Sequence, residues 1–154
     1  LGRDYHGTLV RPGIALYGAS APQSEPVVSL EVRVAQTRRV PAGALVGYNA
    51  TYVTPRPMTL ATISAGYADG LLRSLSGRGA AYLDGRRLPF LGRVSMDSTI
   101  IDIGALPEGR VMPGTLVEII GPNQTVDALA RDAGTISYEI LTSLGKRYFR
   151  DYLG

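Results

Sequence analysis

The sequence contains no cysteine and no tryptophan, one histidine, His6, and one lysine, Lys146, against fifteen arginines in 154 residues. Without Cys there is no disulfide scaffold, no thiolate zinc site and no thiol nucleophile. A metal centre would have to rest on carboxylates and His6 alone, which excludes a histidine-rich transition-metal site. Any chemistry that needs an amine to condense with a carbonyl has only Lys146 to offer. No apolar run approaches the roughly 20 residues of a membrane helix. The opening Leu1-Gly2-Arg3-Asp4-Tyr5-His6 carries no apolar signal core. The chain therefore reads as soluble and cytoplasmic, with no membrane partner, and a first residue that is not Met, Leu1, raises the expectation of a fragment or a processed product.

The net charge is +3 and the isoelectric point about 9.4, but acids are interleaved with the basic residues. A protein that tracks phosphates clusters its Lys and Arg on one face, and the tight arginine pairs here are only Arg38-Arg39 and Arg86-Arg87. Nucleic acid is not the expected partner.

Glycine and proline, by contrast, are abundant, at 19 and 10 residues, and they fall at short, even spacings such as Pro55-Arg56-Pro57, Pro107-Glu108-Gly109 and Gly121-Pro122-Asn123. Punctuation this frequent leaves room for short strands. Val28 to Val34 alternates apolar and polar residues as a half-buried strand should. Residues 59–64, 79–83, 99–103 and 115–120 repeat the pattern. Asp84-Gly85 suits a primed hairpin turn, which needs positive φ at both central positions.

The grammar changes after Gln124. Thr125 is the expected N-cap of a helix over 126–132 that stops at Gly134. Thr135 is the expected cap of a second helix, Ile136 to Leu144, ended by Gly145, with Ile136, Ile140, Leu141 and Leu144 facing the core. The expected fold is mainly β: an antiparallel, barrel-like domain with short C-terminal helices.

Four stretches place reactive groups among glycines where a packed strand would not want them. They are Arg11-Pro12-Gly13-Ile14-Ala15-Leu16-Tyr17-Gly18, Val46-Gly47-Tyr48-Asn49-Ala50-Thr51-Tyr52, Ser64-Ala65-Gly66-Tyr67-Ala68-Asp69-Gly70 and Gly92-Arg93-Val94-Ser95-Met96-Asp97. Each glycine permits a close approach, and each neighbouring Tyr, Arg or Asp supplies a directional polar group. Taken singly, each also reads as a strand-end turn with a tyrosine on the rim of a barrel.

Together, and with Ile136-Ser137-Tyr138-Glu139 as a fifth match, they resemble the C-terminal domain of alanine racemase, a fold-type III enzyme dependent on pyridoxal 5'-phosphate (PLP). The resemblance runs from about Tyr5 to the end, with the motifs in family order and Ser95 where many members have Cys. It implies that residues 1–17 leave an N-terminal PLP barrel and that 18–154 form the C-terminal β domain. It implies that Tyr48 is the base that moves the α-proton on one face of the PLP-bound amino acid, a task for which a phenol of pKa near ~10 must be activated. Arg11 would face the pyridine nitrogen of PLP, and a guanidinium cannot accept a proton there. Gly13 and Ile14, through their N–H groups, and Tyr138, through its hydroxyl, would bind the phosphate, near the start of a helix whose dipole favours an anion. Met96, through its N–H, and Asp97 would hold the substrate, and Tyr67, Asp69, Arg73 and Arg93 would gate its channel.

Each role has a plainer counterpart. Tyr48 could be a rim tyrosine, Arg11 a surface arginine before a turn, Gly13 a turn glycine, Met96 core filler and Tyr138 a residue buried against the sheet. Asp69 and Arg73 could form an ordinary ion pair four residues apart. Lys146 reads as a surface or helix-end cation, far from every cofactor motif. The PLP lysine, the family's second base, would then belong to the absent barrel, and this chain alone would be inactive. In the full protein the resemblance implies a homodimer with shared sites: Arg11, Gly13, Ile14 and Tyr138 serving one PLP, and Tyr48, Met96 and Asp97 the partner's. Two other readings stay open. One is a fold-type III decarboxylase of basic amino acids, which carries a Cys-containing motif near the substrate; the other is a non-catalytic β-barrel module for binding or dimerisation.

Overall fold

The structure is a computed structural model that describes residues 3–20 and 24–153. Its strands are β1 (Leu30–Val40), β2 (Leu45–Val46), β3 (Tyr52–Val53), β4 (Met58–Ile63), β5 (Ala80–Leu83), β6 (Arg86–Leu91), β7 (Thr99–Asp102) and β8 (Leu116–Ile120), followed by helices α1 (Val126–Ala133) and α2 (Ser137–Ser143). Six strands close an antiparallel barrel in the order β1-β4-β7-β6-β5-β8, and β2 and β3 form a separate hairpin. The mainly β barrel with short C-terminal helices is thus the architecture observed.

Strand alternation divides the apolar residues between two clusters. Ala61 and Ile63 of β4, Leu88 and Phe90 of β6, Ile101 of β7 and Val117 and Ile119 of β8 fill the barrel. Their neighbours Met58, Leu60 and Leu91 point the other way and pack with Val46 of β2 in a second, smaller cluster. One-residue offsets along the same strands therefore build both the barrel core and the seat on which the β2–β3 hairpin rests.

The strand expected over 28–34 begins at Leu30 and runs to Val40, with burial alternating only as far as Val34. Past Val34 the strand is sustained by its ladder with β4, from Gln36↔Thr62 to Val40↔Met58, and a bulge between Val34 and Gln36 breaks the alternation that a sequence pattern follows. The Asp84-Gly85 turn between β5 and β6 has positive φ at both residues, as expected. Asp84 also accepts two hydrogen bonds from Arg110, at 2.6 and 2.7 Å, and this pairing lowers its pKa.

Helix α1 matches its expected start and stop: the Thr125 side chain accepts from the Ala128 N–H at 3.1 Å, and Gly134 is left-handed. Val126, Leu129, Ala130 and Ala133 form its buried stripe. Helix α2 departs from expectation. Thr135 does not cap it, because the Thr135 N–H closes the end of α1 by donating to the Ala130 carbonyl at 2.9 Å. Ile136 takes the cap position in an extended conformation with no side-chain cap bond. It is 65% exposed rather than core-facing, since the extended backbone turns it off the helix face that buries Ile140. The helix ends at Ser143 with Leu144 as its C-cap, not at Gly145. No helix among the described residues is long and apolar enough to cross a membrane.

Strands β5 and β8 meet at one paired position, Tyr82↔Glu118. The seam is completed by Gln124, a buried side chain whose Nε2 donates to the carbonyls of Ala80, at 3.0 Å, and Ile119, at 2.7 Å. The Glu118 carboxylate in turn holds the turn that delivers Gln124, accepting from the backbone N–H groups of Asn123, at 2.7 Å, and Gln124, at 3.0 Å. Replacing Gln124 by Leu strands two buried carbonyls. The expected cost is about 2–6 kcal/mol, at about 1–3 for each lost partner, read as a lower urea midpoint at unchanged slope.

The hydroxyl of Tyr148 is buried without a hydrogen-bond partner, and burial, reinforced by the nearby Asp69 charge, pushes its pKa up to about 12. An unfolded tyrosine ionises near ~10. Between those values the folded state keeps a proton that the unfolded state releases, so this group makes stability fall as pH rises from about 10 to about 12. Tyr148→Phe should flatten that alkaline loss in thermal unfolding across the same range, with no loss of stability at neutral pH.

Candidate functional site

Strands β4 and β6 end, and β7 begins, at one end of the barrel, and three of the glycine-rich stretches meet there. The β2–β3 hairpin approaches from its own cluster and turns at Tyr48–Ala50. Gly47 and Gly92 touch across the junction. A Cβ on Gly47 would stand 3.1 Å from the Arg93 amide nitrogen, and one on Gly92 would stand 2.9 Å from the Val46 carbonyl. Both also have positive φ, so glycine is required twice over. The hairpin tip itself is strained, with non-glycine residues Asn49 and Ala50 in left-handed conformations at φ near 59° and 50°. It carries Tyr48 outward, 69% exposed.

The 66–70 and 95–97 segments interlock more tightly still. The amides of Tyr67 and Ala68 donate to the carbonyls of Ser95, at 2.9 Å, and Met96, at 3.0 Å. A Cβ on Gly66 would lie 2.2 Å from the Ser95 oxygen and 2.4 Å from that of Met96. These bonds use the carbonyl of Met96 and not its N–H. The Ser95 hydroxyl closes its own turn by donating to the Ser98 carbonyl at 2.5 Å. Behind them, Thr99 Oγ1 donates to the Ala65 carbonyl at 2.8 Å and ties the start of β7 to the same turn.

Asp69 is buried, and its carboxylate faces inward. One oxygen accepts the Gly66 N–H at 2.9 Å, and the other lies 3.2 Å from Nε of Arg147. The ion pair of Asp69 is therefore with Arg147 and not with Arg73, because Asp69 sits on a 3-10 turn (Tyr67–Asp69) rather than on a helix that would align residues four apart. Arg147 also donates from Nη1 to Asp97 Oδ1 at 2.6 Å. The two carboxylates raise its pKa, Asp97 through the hydrogen bond and Asp69 through its charge. Arg73 and Arg93 share a shallow depression of about 370 Å³ with Ser76 and Arg78. Tyr67 and Met96 are exposed.

The remaining expected residues lie elsewhere. Gly13 opens a 3-10 turn (Gly13–Tyr17) in which the first amides, those of Gly13 and Ile14, have no acceptor within the turn. A Cβ on Gly13 would stand 2.5 Å from the Tyr138 hydroxyl, so bare backbone and phenol occupy one small space. Tyr138 is exposed there, not buried against the sheet. Arg11 lies exposed just before the turn, and Lys146 is exposed at the far side of α2. The Asp127 carboxylate holds this second group together: it accepts from the Ser20 N–H at 2.9 Å and from the Ser137 hydroxyl at the start of α2. Those bonds, the Ser137 one foremost, lower its pKa.

The sequence motifs group Tyr48, Met96 and Asp97 with the gate residues Tyr67, Asp69, Arg73 and Arg93 on the one hand, and Arg11, Gly13, Ile14 and Tyr138 on the other. They missed Arg147 and Asp127, which bind segments remote in sequence. The only local hint of either was a charged side chain beside a helix end.

The family model for the alanine racemase C-terminal domain matches residues 27–152. A catabolic alanine racemase of Agrobacterium fabrum is 61% identical over 99% of this chain and 41% of its own length. The alanine racemase of Brucella abortus is 50% identical over 99% of this chain and 43% of its own. Among solved structures, the Bartonella henselae alanine racemase with covalently bound pyridoxal phosphate superposes with a TM-score of 0.87 at 48% identity, covering 92% of this chain and 40% of that one. The Bacillus anthracis alanine racemase with bound L-Ala-P gives 0.76 at 36% identity, covering 86% and 36%. The chain thus spans about two fifths of the length of the curated relatives it matches.

The interlock at Gly66 makes a direct prediction. Gly66→Ala forces two carbonyls apart and should cost about 1–3 kcal/mol by overpacking, measured as a lowered thermal midpoint.

Proposed function

Because this chain belongs to the alanine racemase C-terminal domain family, we propose that it is the C-terminal part of a PLP-dependent racemase that interconverts L- and D-alanine. The observation that carries the reading is the convergence of Tyr48, Tyr67, Arg93, Met96 and Asp97 on one end of the barrel through contacts that require glycine. A decarboxylase is disfavoured by the relatives, which are alanine racemases, and by the absence of Cys from the sequence.

The residues fit PLP. The opening amides of the Gly13–Tyr17 turn, which have no acceptor within it, and the Tyr138 hydroxyl together offer donors suited to phosphate oxygens. Gly13, Ile14 and Tyr138 would hold the phosphate, and Arg11 would donate to the pyridine nitrogen without surrendering a proton to it. When bound, PLP supplies an electron sink that acidifies the amino acid's α-carbon.

Within this frame Tyr48 takes or returns the α-proton at its phenolic oxygen on one face of the substrate. The Met96 N–H and Asp97 orient the substrate's carboxylate end. Tyr67, Arg73 and Arg93 narrow the approach so that an alanine-sized side chain passes, and Asp69 supports that wall from beneath. The second base is the PLP lysine of a barrel domain, residues 1–17 being the lead out of it. Lys146 has no place in this scheme, so the isolated chain is inactive. Each site joins one subunit's PLP group of residues to the partner's Tyr48 rim in a cytoplasmic homodimer.

In the full-length protein, Tyr48→Phe should reduce α-deuterium exchange from one alanine enantiomer by about 100- to 10,000-fold, the range for removing a general base. Exchange from the other enantiomer and the PLP absorbance should persist. Equal exchange from both enantiomers would overturn the role of Tyr48, and full-length protein that turns over neither would favour a non-catalytic module.

A further inference from the structure

We propose that Arg147 is a positioning residue for the substrate-carboxylate end of the site, its guanidinium fixing the Met96–Asp97 loop to the Tyr67–Asp69 turn. The inference rests on the reading that Met96 and Asp97 bind substrate.

Three segments far apart in the sequence meet at this point. The turn after β4 and the loop before β7 are joined by the Tyr67 and Ala68 amides. The segment after α2 joins them where the Gly145 N–H donates to the Asp69 carbonyl at 3.1 Å, and where a Cβ on Gly70 would stand 2.1 Å from the Ser143 oxygen. Backbone bonds thus set the position of residue 147, but they stop short of Asp97. Among the described residues, the Arg147 side chain is what spans that gap.

The two carboxylates it holds differ in kind. Asp69 has 7% of its side chain exposed, and one of its oxygens is already committed to the Gly66 N–H. Asp97 has 59% exposed, where an ion pair formed on its own in water is weak. Burial of Asp69 makes it a stiff anchor for the guanidinium, and the anchored guanidinium gives Asp97 a partner that does not have to be ordered anew. Order therefore passes from the barrel through Asp69 and Arg147 to the exposed loop that carries Met96. A planar guanidinium can present Nε to one carboxylate and Nη1 to another at once, whereas a lysine ammonium is a single point on a flexible stem. Lysine at 147 would keep the buried partner and release the exposed one.

The test uses the full-length, PLP-loaded racemase and the variants Arg147→Ala, Arg147→Lys, Asp97→Ala and the Arg147→Ala/Asp97→Ala pair. A loosened carboxylate loop weakens ground state and transition state alike, so KM for alanine should rise about tenfold while kcat changes little. Arg147→Lys should raise KM less than Asp97→Ala, which also loses the substrate contact of Asp97, and the double variant should be no worse than Asp97→Ala. The lysine variant keeps the contact to buried Asp69, so it remains informative if Arg147→Ala does not fold. A wild-type KM in Arg147→Lys, or multiplied effects in the double variant, would overturn the role of Arg147 while leaving the site assignment intact. If Asp97→Ala and Tyr48→Phe both leave alanine turnover unchanged, the site assignment itself fails, and the inference with it.

Discussion

Barrel closure at the β5–β8 seam is the constraint on which the remaining structure depends. A sheet of six strands has two edges unless it closes on itself, and the narrowest junction of the closed barrel is the β5–β8 pair, at a single ladder position, Tyr82↔Glu118. The deficit in backbone bonds is covered by side chains of one short loop: Gln124 reaches the carbonyls of both strands, and Glu118 shapes the turn from which it reaches. Closure fixes the interior and, with it, which strand ends share a rim. The proposed catalytic rim is a consequence of that geometry, because β4 ends, β6 ends and β7 begins at the same end only in this register.

The rim is built mainly from backbone against backbone. At Gly66, Gly47 and Gly92 a side chain would collide with a carbonyl or an amide of a neighbouring segment. Such contacts leave little slack, which is what a site needs when it must hold a small substrate by a main-chain N–H and a few charges. Charge is added where backbone contact ends, at Asp69, Arg147 and Asp97.

How much of this was legible in the sequence depended on whether the signal was local. Strands over 59–64 and 99–103, the Asp84-Gly85 turn and the Thr125 cap of α1 all carry their cause within a few residues, and all appear in place. Thr135 failed as a cap because its amide was needed to finish the preceding helix, a competition that a residue's own propensity does not reveal. Ile136 is apolar and correctly phased for the core, yet an extended backbone turned it to solvent. The motif glycines pointed to the rim, but the partners that hold it did not: Arg147 acts on residues far back in the chain, and Asp127 clamps Ser20 to Ser137.

The hairpin tip brings these points together. Residues 47–50 hold three unusual backbone conformations, at Gly47, Asn49 and Ala50, two of them at non-glycine residues, and the outcome is a tyrosine held away from the domain. Strain of that kind is stable only where surroundings overdetermine it, and the Val46, Met58, Leu60 and Leu91 cluster beneath the hairpin does so. A tyrosine serving the core would not need the strain, and a tyrosine serving solvent would not need the cluster. Both make sense if Tyr48 is aimed at a surface outside this domain, which is the geometry a site shared between subunits demands.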